Sequence, residues 1–303
     1  MLRISFVLFT LSAIVLAASP ANAQITLSSE QYRVFDAKGN AAGLDKIIDA
    51  AGNADVIFLG EQHDDAVAHA IQYEIFKRIV ERYAAERRVA LSMEMFERDV
   101  QIVVDEYLSG LISESHFLLN SRPWGNYKTD YRPLVELAKQ KHLPVIAANA
   151  PRRYVNMVSR GGRDTLNALS PQAKAWLPKL PYGQPSAAYA AKFKALMGPS
   201  PEAQQGIDNI LASQALWDAA MADSIARFLK KNKNALVVHL NGAFHTESRL
   251  GTVEQLLAER GKTRVIVVTM RYTDDVARFD KEKDTGTGDF VILTDTKVPR
   301  SKR

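Results

Sequence analysis

Two segments of this chain end alike. Asp55-Val56-Ile57-Phe58-Leu59 runs into Gly60-Glu61-Gln62-His63, and Ala235-Leu236-Val237-Val238-His239-Leu240-Asn241 runs into Gly242-Ala243-Phe244-His245. Each is a buried-strand pattern followed by Gly-x-x-His. The carboxyl end of a parallel strand opens into the crevice where α/β proteins bind ligands, and glycine lets the backbone turn sharply there. Two imidazoles brought to one sheet edge can hold a metal, a cofactor or a substrate. Glu61 shares the first turn, and Glu94 follows a third apolar run, Val89 to Met93. Glu61, His63, Glu94 and His245 thus make a possible two-histidine, two-carboxylate cluster, a set suited to Zn, Mn, Co or non-haem Fe. Such an ion lowers the pKa of bound water while a free carboxylate, Glu61 or Glu94, serves as general base. The plainer alternative pairs both glutamates with arginines and uses the histidines to cap loops.

Other residues carry weaker signals. Asn149-Ala150-Pro151-Arg152-Arg153 follows another strand-like run, so Arg152 is a candidate for binding a carboxylate or a haem propionate through its forked donors, or else for pairing with Glu94 or Glu97. Trp124-Gly125-Asn126-Tyr127 and Asp130-Tyr131-Arg132-Pro133 form an aromatic loop that can stack on a planar ligand or pack a core edge. His69 and Tyr73 are one helical turn apart and share a face, from which either can ligate haem iron. His239 lies inside a strand and reads as core, whereas His116 and His142 read as surface. The Gly-x-Ser-x-Gly elbow, the His-Glu-x-x-His helix and the phosphate loop are all missing.

The elements that must position these groups alternate between strand-like and helix-like, which predicts an α/β fold: a mostly parallel central sheet flanked by helices. Strands are expected near Val56–Leu59, Val89–Met93, Pro144–Ala147, Leu236–Leu240, Val265–Thr269 and Phe290–Leu293. Helices are expected over Asp64 to Glu86, with Val67, Ile71, Ile75, Ile79 and Tyr83 on one face, over Arg132 to Lys141, and over Val253 to Arg260. From about 152 to 233 the rhythm breaks into glycines, prolines and helical pieces at Ala187–Leu196 and from Pro201 to Leu229. That stretch is expected to be a helical insertion over the carboxyl edge of the sheet.

Bulk properties narrow the field. Met1-Leu2-Arg3, the apolar run Phe6 to Ala18 and Ala21-Asn22-Ala23 read as an export signal cleaved before Gln24. The 280 residues that remain of 303 suffice for one large domain, 24–296, ending in a basic tail, 297–303. A periplasmic or secreted, soluble protein is expected, with no transmembrane segment after signal removal. The formal charge of +5 is a mild, spread excess that gives no reason to invoke nucleic acid. The absence of cysteine excludes disulfides, thiolate metal sites, iron–sulfur clusters and an N-terminal lipid anchor.

Taken together, Gly60-Glu61-Gln62-His63, Met93-Glu94-Met95-Phe96, Tyr131-Arg132-Pro133-Leu134, Ala147 to Arg152 and Gly242-Ala243-Phe244-His245 resemble the ChaN family of haem-binding, iron-regulated proteins. That family belongs to a superfamily with the Tiki proteases and the erythromycin esterase-like proteins. The resemblance spans about residues 50–270. It implies an α/β sheet with helices on both sides and a role in iron uptake or haem handling, with haem held between two subunits by Tyr and His and hence a possible homodimer. Carried onto this chain, that ligation points to Tyr73 or His69. The Tiki branch implies instead a metal-dependent hydrolase of a peptide or ester, using Glu61, His63, Glu94 and His245 around a divalent metal ion. ChaN is a lipoprotein, and this chain has no cysteine to lipidate. A third possibility is a non-catalytic module that binds an envelope partner.

Overall fold

A computed structural model describes residues 27–198 and 206–302. Among them, eight strands form one sheet in the order β2-β1-β8-β7-β3-β6-β4-β5. These strands are β1 (Tyr32–Asp36), β2 (Ala41–Ala42), β3 (Val56–Glu61), β4 (Arg88–Glu97), β5 (Val145–Asn149), β6 (Ala235–Gly242), β7 (Val265–Thr273) and β8 (Phe290–Asp295). From β8 to β5 all neighbours are parallel, while β1 pairs antiparallel with both β8 and β2. The fold is therefore the mixed, mostly parallel α/β sheet expected. All six expected strands are present, and all six run on past the expected limits at their carboxyl ends. The β1–β2 hairpin was not expected: both strands are short, and Tyr-Arg-Val-Phe-Asp has only a weak alternation.

The central strands are apolar on both faces because helices cover both. Every residue of β3 and β6 is buried. The helices in chain order are α1 (Leu44–Ala51), α2 (Ala66–Tyr83), α3 (Gln101–Leu108), α4 (Glu114–Ser121), α5 (Arg132–Gln140), α6 (Arg152–Gly161), α7 (Pro171–Lys174), α8 (Ala187–Met197), α9 (Ile207–Lys231), α10 (Thr252–Glu259) and α11 (Lys281–Asp284). On one face, Ile71, Ile75 and Ile79 of α2 join Ile57, Leu59, Leu91 and Leu240 of the sheet. Burying each such side chain is worth roughly 1.5–3 kcal/mol. On the other face, Ile225 and Leu229 of α9 meet Val56, Phe58 and Val237.

Between β5 and β6 the described residues contain helices and no strand. The C-terminal half of α9 lies on the sheet face, whereas Arg152 of α6, Phe193 of α8 and Trp217 of α9 lie at the carboxyl edge with His63 and His245. The expected helix start at Pro201, the export signal and Arg303 fall outside the described residues. Among those residues no helix is long and apolar enough to cross a membrane.

Candidate functional site

The sheet order brings the chemistry together. Because β6 lies between β3 and β4, the ends of these three strands are neighbours. Pairing of β3 with β6 continues to Glu61 opposite Gly242, so the two Gly-x-x-His turns emerge side by side. They also touch. A Cβ placed on Gly242 would lie 2.7–2.8 Å from Cε1 and Nε2 of His63, so only glycine admits the imidazole there. Gly60 meets the Cα of Ala243 in the same way, at 2.9 Å from where its Cβ would be.

His63 and His245 are held alike. The Nδ1 of His63 is 2.9 Å from Oε1 of Glu61, and that of His245 is 2.8 Å from Oδ1 of Asp218 on α9. Each imidazole is thus oriented by a buried carboxylate through Nδ1, the arrangement that presents Nε2 for a proton or a metal. Each also has a tryptophan at its edge: Trp124 at 4.8 Å from His63 and Trp217 at 6.4 Å from His245, between ring centroids. Glu94 sits where β4 stops pairing with β6. Its Oε2 accepts the Gly242 N–H at 2.7 Å, and its Oε1 is 3.8 Å from Nε2 of His245.

Burial sets the charges. Alone it would discharge the His245 imidazole, but Asp218 and Glu94 outweigh it and lift its pKa to about 9. Burial also raises the Glu94 carboxyl, against the opposing pull of His245 and the Gly242 amide. Asp218 is anchored further by Tyr189 of α8 at 2.5 Å and Thr252 at 2.8 Å, so its geometry is fixed from three elements.

These side chains form one wall of a cavity of about 1060 Å³ at the carboxyl edge. His63, Glu94, Gly242 and His245 line it, with Trp124, Trp217, Phe193, Phe244 and Met95 around them and Arg122, Arg152 and Arg153 at the rim. Its volume stands at the top of the range of roughly 300–1,000 Å³ usual for small-molecule sites.

Some expected site residues are placed elsewhere. Glu61 does not line the cavity: it is 1% exposed and lies behind His63, accepting from Tyr131 OH at 2.6 Å and Gln72 Nε2 at 2.8 Å. The expected four-ligand cluster is therefore divided, and among the described residues no three His, Asp or Glu side chains are placed to hold a metal ion. His69 is buried beside Glu61, with Nδ1 3.2 Å from Glu61 and Nε2 3.4 Å from Asp130, so both nitrogens point away from the cavity. Burial opposes its charge, but Glu61 and Asp130 raise its pKa to about 9. Tyr73 is absent from the cavity wall and lines a small pocket with Tyr32, Leu44 and Lys77. The physical reason is the direction of α2. It starts at the carboxyl edge and runs away from it, so each turn moves a side chain about 5.4 Å farther from the site. Among the described residues no tyrosine lines the cavity.

Arg152 is on the rim and makes neither of the ion pairs considered for it. Of the aromatic loop, Trp124 reaches the cavity, Tyr131 supports Glu61 and Tyr127 is buried among Phe96 and Phe117. His239 is core, with Nδ1 2.8 Å from Ser92 Oγ, and His116 and His142 are exposed. The sequence reading missed Asp218, Trp217 and Gln72. Asp218 left one trace: it is an acid in the otherwise small and apolar run Ala215-Leu216-Trp217-Asp218-Ala219-Ala220.

Fold and wall together define an α/β protein with an aromatic, imidazole-bearing cavity over the carboxyl edge of its sheet. A family model described as haem-binding uptake, Tiki superfamily, ChaN matches residues 47–256, and the chain belongs to that family. Its fold is similar to that of ChaN of Campylobacter jejuni, from a structure of cofacial haem binding, with 18% identity, 88% of this chain and 98% of that one covered, and a TM-score of 0.69. A mutant of the erythromycin esterase EreC in its open conformation is more distant, with 11% identity, 80% and 77% covered, and a TM-score of 0.45. No curated protein sequence matches.

Proposed function

We propose that this protein binds haem in the cavity over the carboxyl edge and serves haem or iron handling outside the cytoplasm. The observation that carries the reading is the cavity itself: about 1060 Å³, walled by Trp124, Trp217, Phe193 and Phe244, with two carboxylate-backed imidazoles on one side. Flat aromatic side chains suit the faces and edges of a planar macrocycle. Haem, once bound, supplies redox-active iron. The residues here that suit its ligation are His63 and His245, whose Nδ1 atoms are already engaged. Family membership and the fold shared with the Campylobacter jejuni protein support this reading, and the export-signal pattern of the first 23 residues supports the location.

Titration of the purified protein with hemin is expected to give a saturable Soret shift that weakens in His63→Ala and His245→Ala. Absence of saturable binding overturns the reading. A dimer sharing stacked haems, the cofacial mode named for the Campylobacter jejuni protein, is expected to appear by size exclusion only when hemin is added.

One observation favours a second reading, hydrolysis of a peptide or ester. Glu94, its carboxyl raised by burial, lies between an amide donor and a carboxylate-backed imidazole, as an acid–base pair requires. Assays with Mn, Co and Zn that show no turnover of peptides or esters count against it.

A further inference from the structure

The rim of the cavity carries three arginines that differ in their partners. Arg122 pairs with Glu97 at 3.0 Å and Asp99 at 2.6 Å. Arg153 pairs with Asp99 and lies over Tyr154 and Trp176. Two carboxylates thus satisfy two guanidiniums. Arg152 forms no ion pair or hydrogen bond among the described residues, and it lines the cavity from an exposed position.

Two further features converge beside it. Arg152 is the first residue of α6, a ten-residue helix that starts after Pro151 with no side-chain cap; the Tyr154 amide donates to the Pro151 carbonyl at 2.9 Å, which leaves the Arg152 and Arg153 amides and the positive dipole end for an outside acceptor. Asn149, only 6% exposed, also lines the cavity. Its Oδ1 accepts the Ala150 N–H at 2.9 Å, which fixes the amide plane, and its Nδ2 has no partner among the described residues. An amide donor that lines a cavity without a protein acceptor is open to one supplied by a ligand. Here a fixed donor, a free guanidinium and a helix N-terminus share one corner of a cavity that is otherwise aromatic.

We propose that the first turn of α6, with the Arg152 guanidinium and the Asn149 Nδ2 amide, is a carboxylate-binding subsite that holds the acidic edge of a bound porphyrin. This rests on the haem reading and adds to it an orientation: propionates toward α6. An arginine fork and an amide donor match a carboxylate in geometry as well as charge. An esterified propionate loses the charge that the guanidinium and the helix N-terminus recognise, while its carbonyl oxygen still accepts from an amide.

The test compares hemin with hemin dimethyl ester, and adds iron-free protoporphyrin IX, whose binding cannot depend on metal ligation. Wild type is expected to bind hemin about tenfold more tightly than the ester. Arg152→Gln removes the charge at an exposed position, and Asn149→Asp keeps the Oδ1 acceptor while turning the donor into a repelling carboxylate. Both are expected to weaken hemin and protoporphyrin IX about tenfold; Arg152→Gln is expected to leave ester affinity nearly as it was, and Asn149→Asp to lower it less than it lowers hemin affinity. Far-UV circular dichroism is expected to show both variants folded. Variants that bind hemin and ester as wild type does, or that lose both equally, overturn the subsite while the haem reading stands. Wild type that binds none of the three porphyrins removes the haem reading, and the subsite with it.

Discussion

His245 and Asp218 are joined Nδ1 to Oδ1 at 2.8 Å, across a fold in which one lies in the turn after the central strand β6 and the other mid-helix on α9. The bond sets both the direction of the imidazole and its charge. The folded-state pKa of about 9 lies above the ordinary 6.5, so the native state binds the extra proton between those values. The resulting stability is complete below pH 6.5 and is lost as pH rises through about 9. Urea midpoints of wild type are therefore expected to fall between pH 6.5 and 9.5. His69, also raised to about 9, contributes a similar share. Asp218→Asn is expected to remove the His245 part and leave a shallower fall; an unchanged slope refutes the coupling.

The opposite sign is expected of His239. It is fully buried with Nε2 unpartnered, and burial, aided by His245, lowers its pKa to about 3. Between pH 6.5 and about 3 the unfolded chain takes a proton that the native state refuses, so stability is present above 6.5 and is lost as pH falls. The loss amounts to about 1.4 kcal/mol per pH unit for this group. His239→Gln, which keeps a partner for Ser92, is expected to be less acid-sensitive in urea titrations at pH 7 and 5.

The two turn glycines are expected to fail differently. A methyl at Gly60 strikes the backbone of Ala243, which cannot yield, so Gly60→Ala is expected to cost about 1–3 kcal/mol. A methyl at Gly242 strikes the imidazole of His63, a half-buried side chain able to swing aside. Gly242→Ala is expected to lower the melting temperature less and hemin affinity more. Thermal melts and Soret titrations of both variants decide it.

Export is checked at the terminus. Expressed in full in a bacterial host, the chain is expected in the periplasmic fraction with Gln24 as its first residue, read by intact mass. Retention of Met1 in the cytosol contradicts the signal assignment.

What the sequence revealed follows from which physical effects are local. Strands buried on both faces appear as unbroken apolar runs, so β3 to β8 were readable, whereas the β1–β2 hairpin, short and partly exposed, was not. His63, Glu94 and His245 were readable because strand ends carry their residues to a common edge. Asp218 was not, because its partner lies in another element and nothing adjacent marks it. Tyr73 was misplaced because a shared helix face does not mean equal distance from the sheet edge, and Glu61 because a neighbour in a turn can stand behind a histidine as easily as beside it.

The position of β6 between β3 and β4 has a bearing on how the protein matures. Strands β3 and β4 are made early, but the strand that separates them and supplies Gly242 and His245 emerges only after the whole helical segment that follows β5. Such non-local pairing is slow to form, because a long loop must close before any contact rewards it. The cavity wall is therefore among the last parts of the chain to be completed, and a partly made or truncated chain lacks the wall on which the proposed haem site depends.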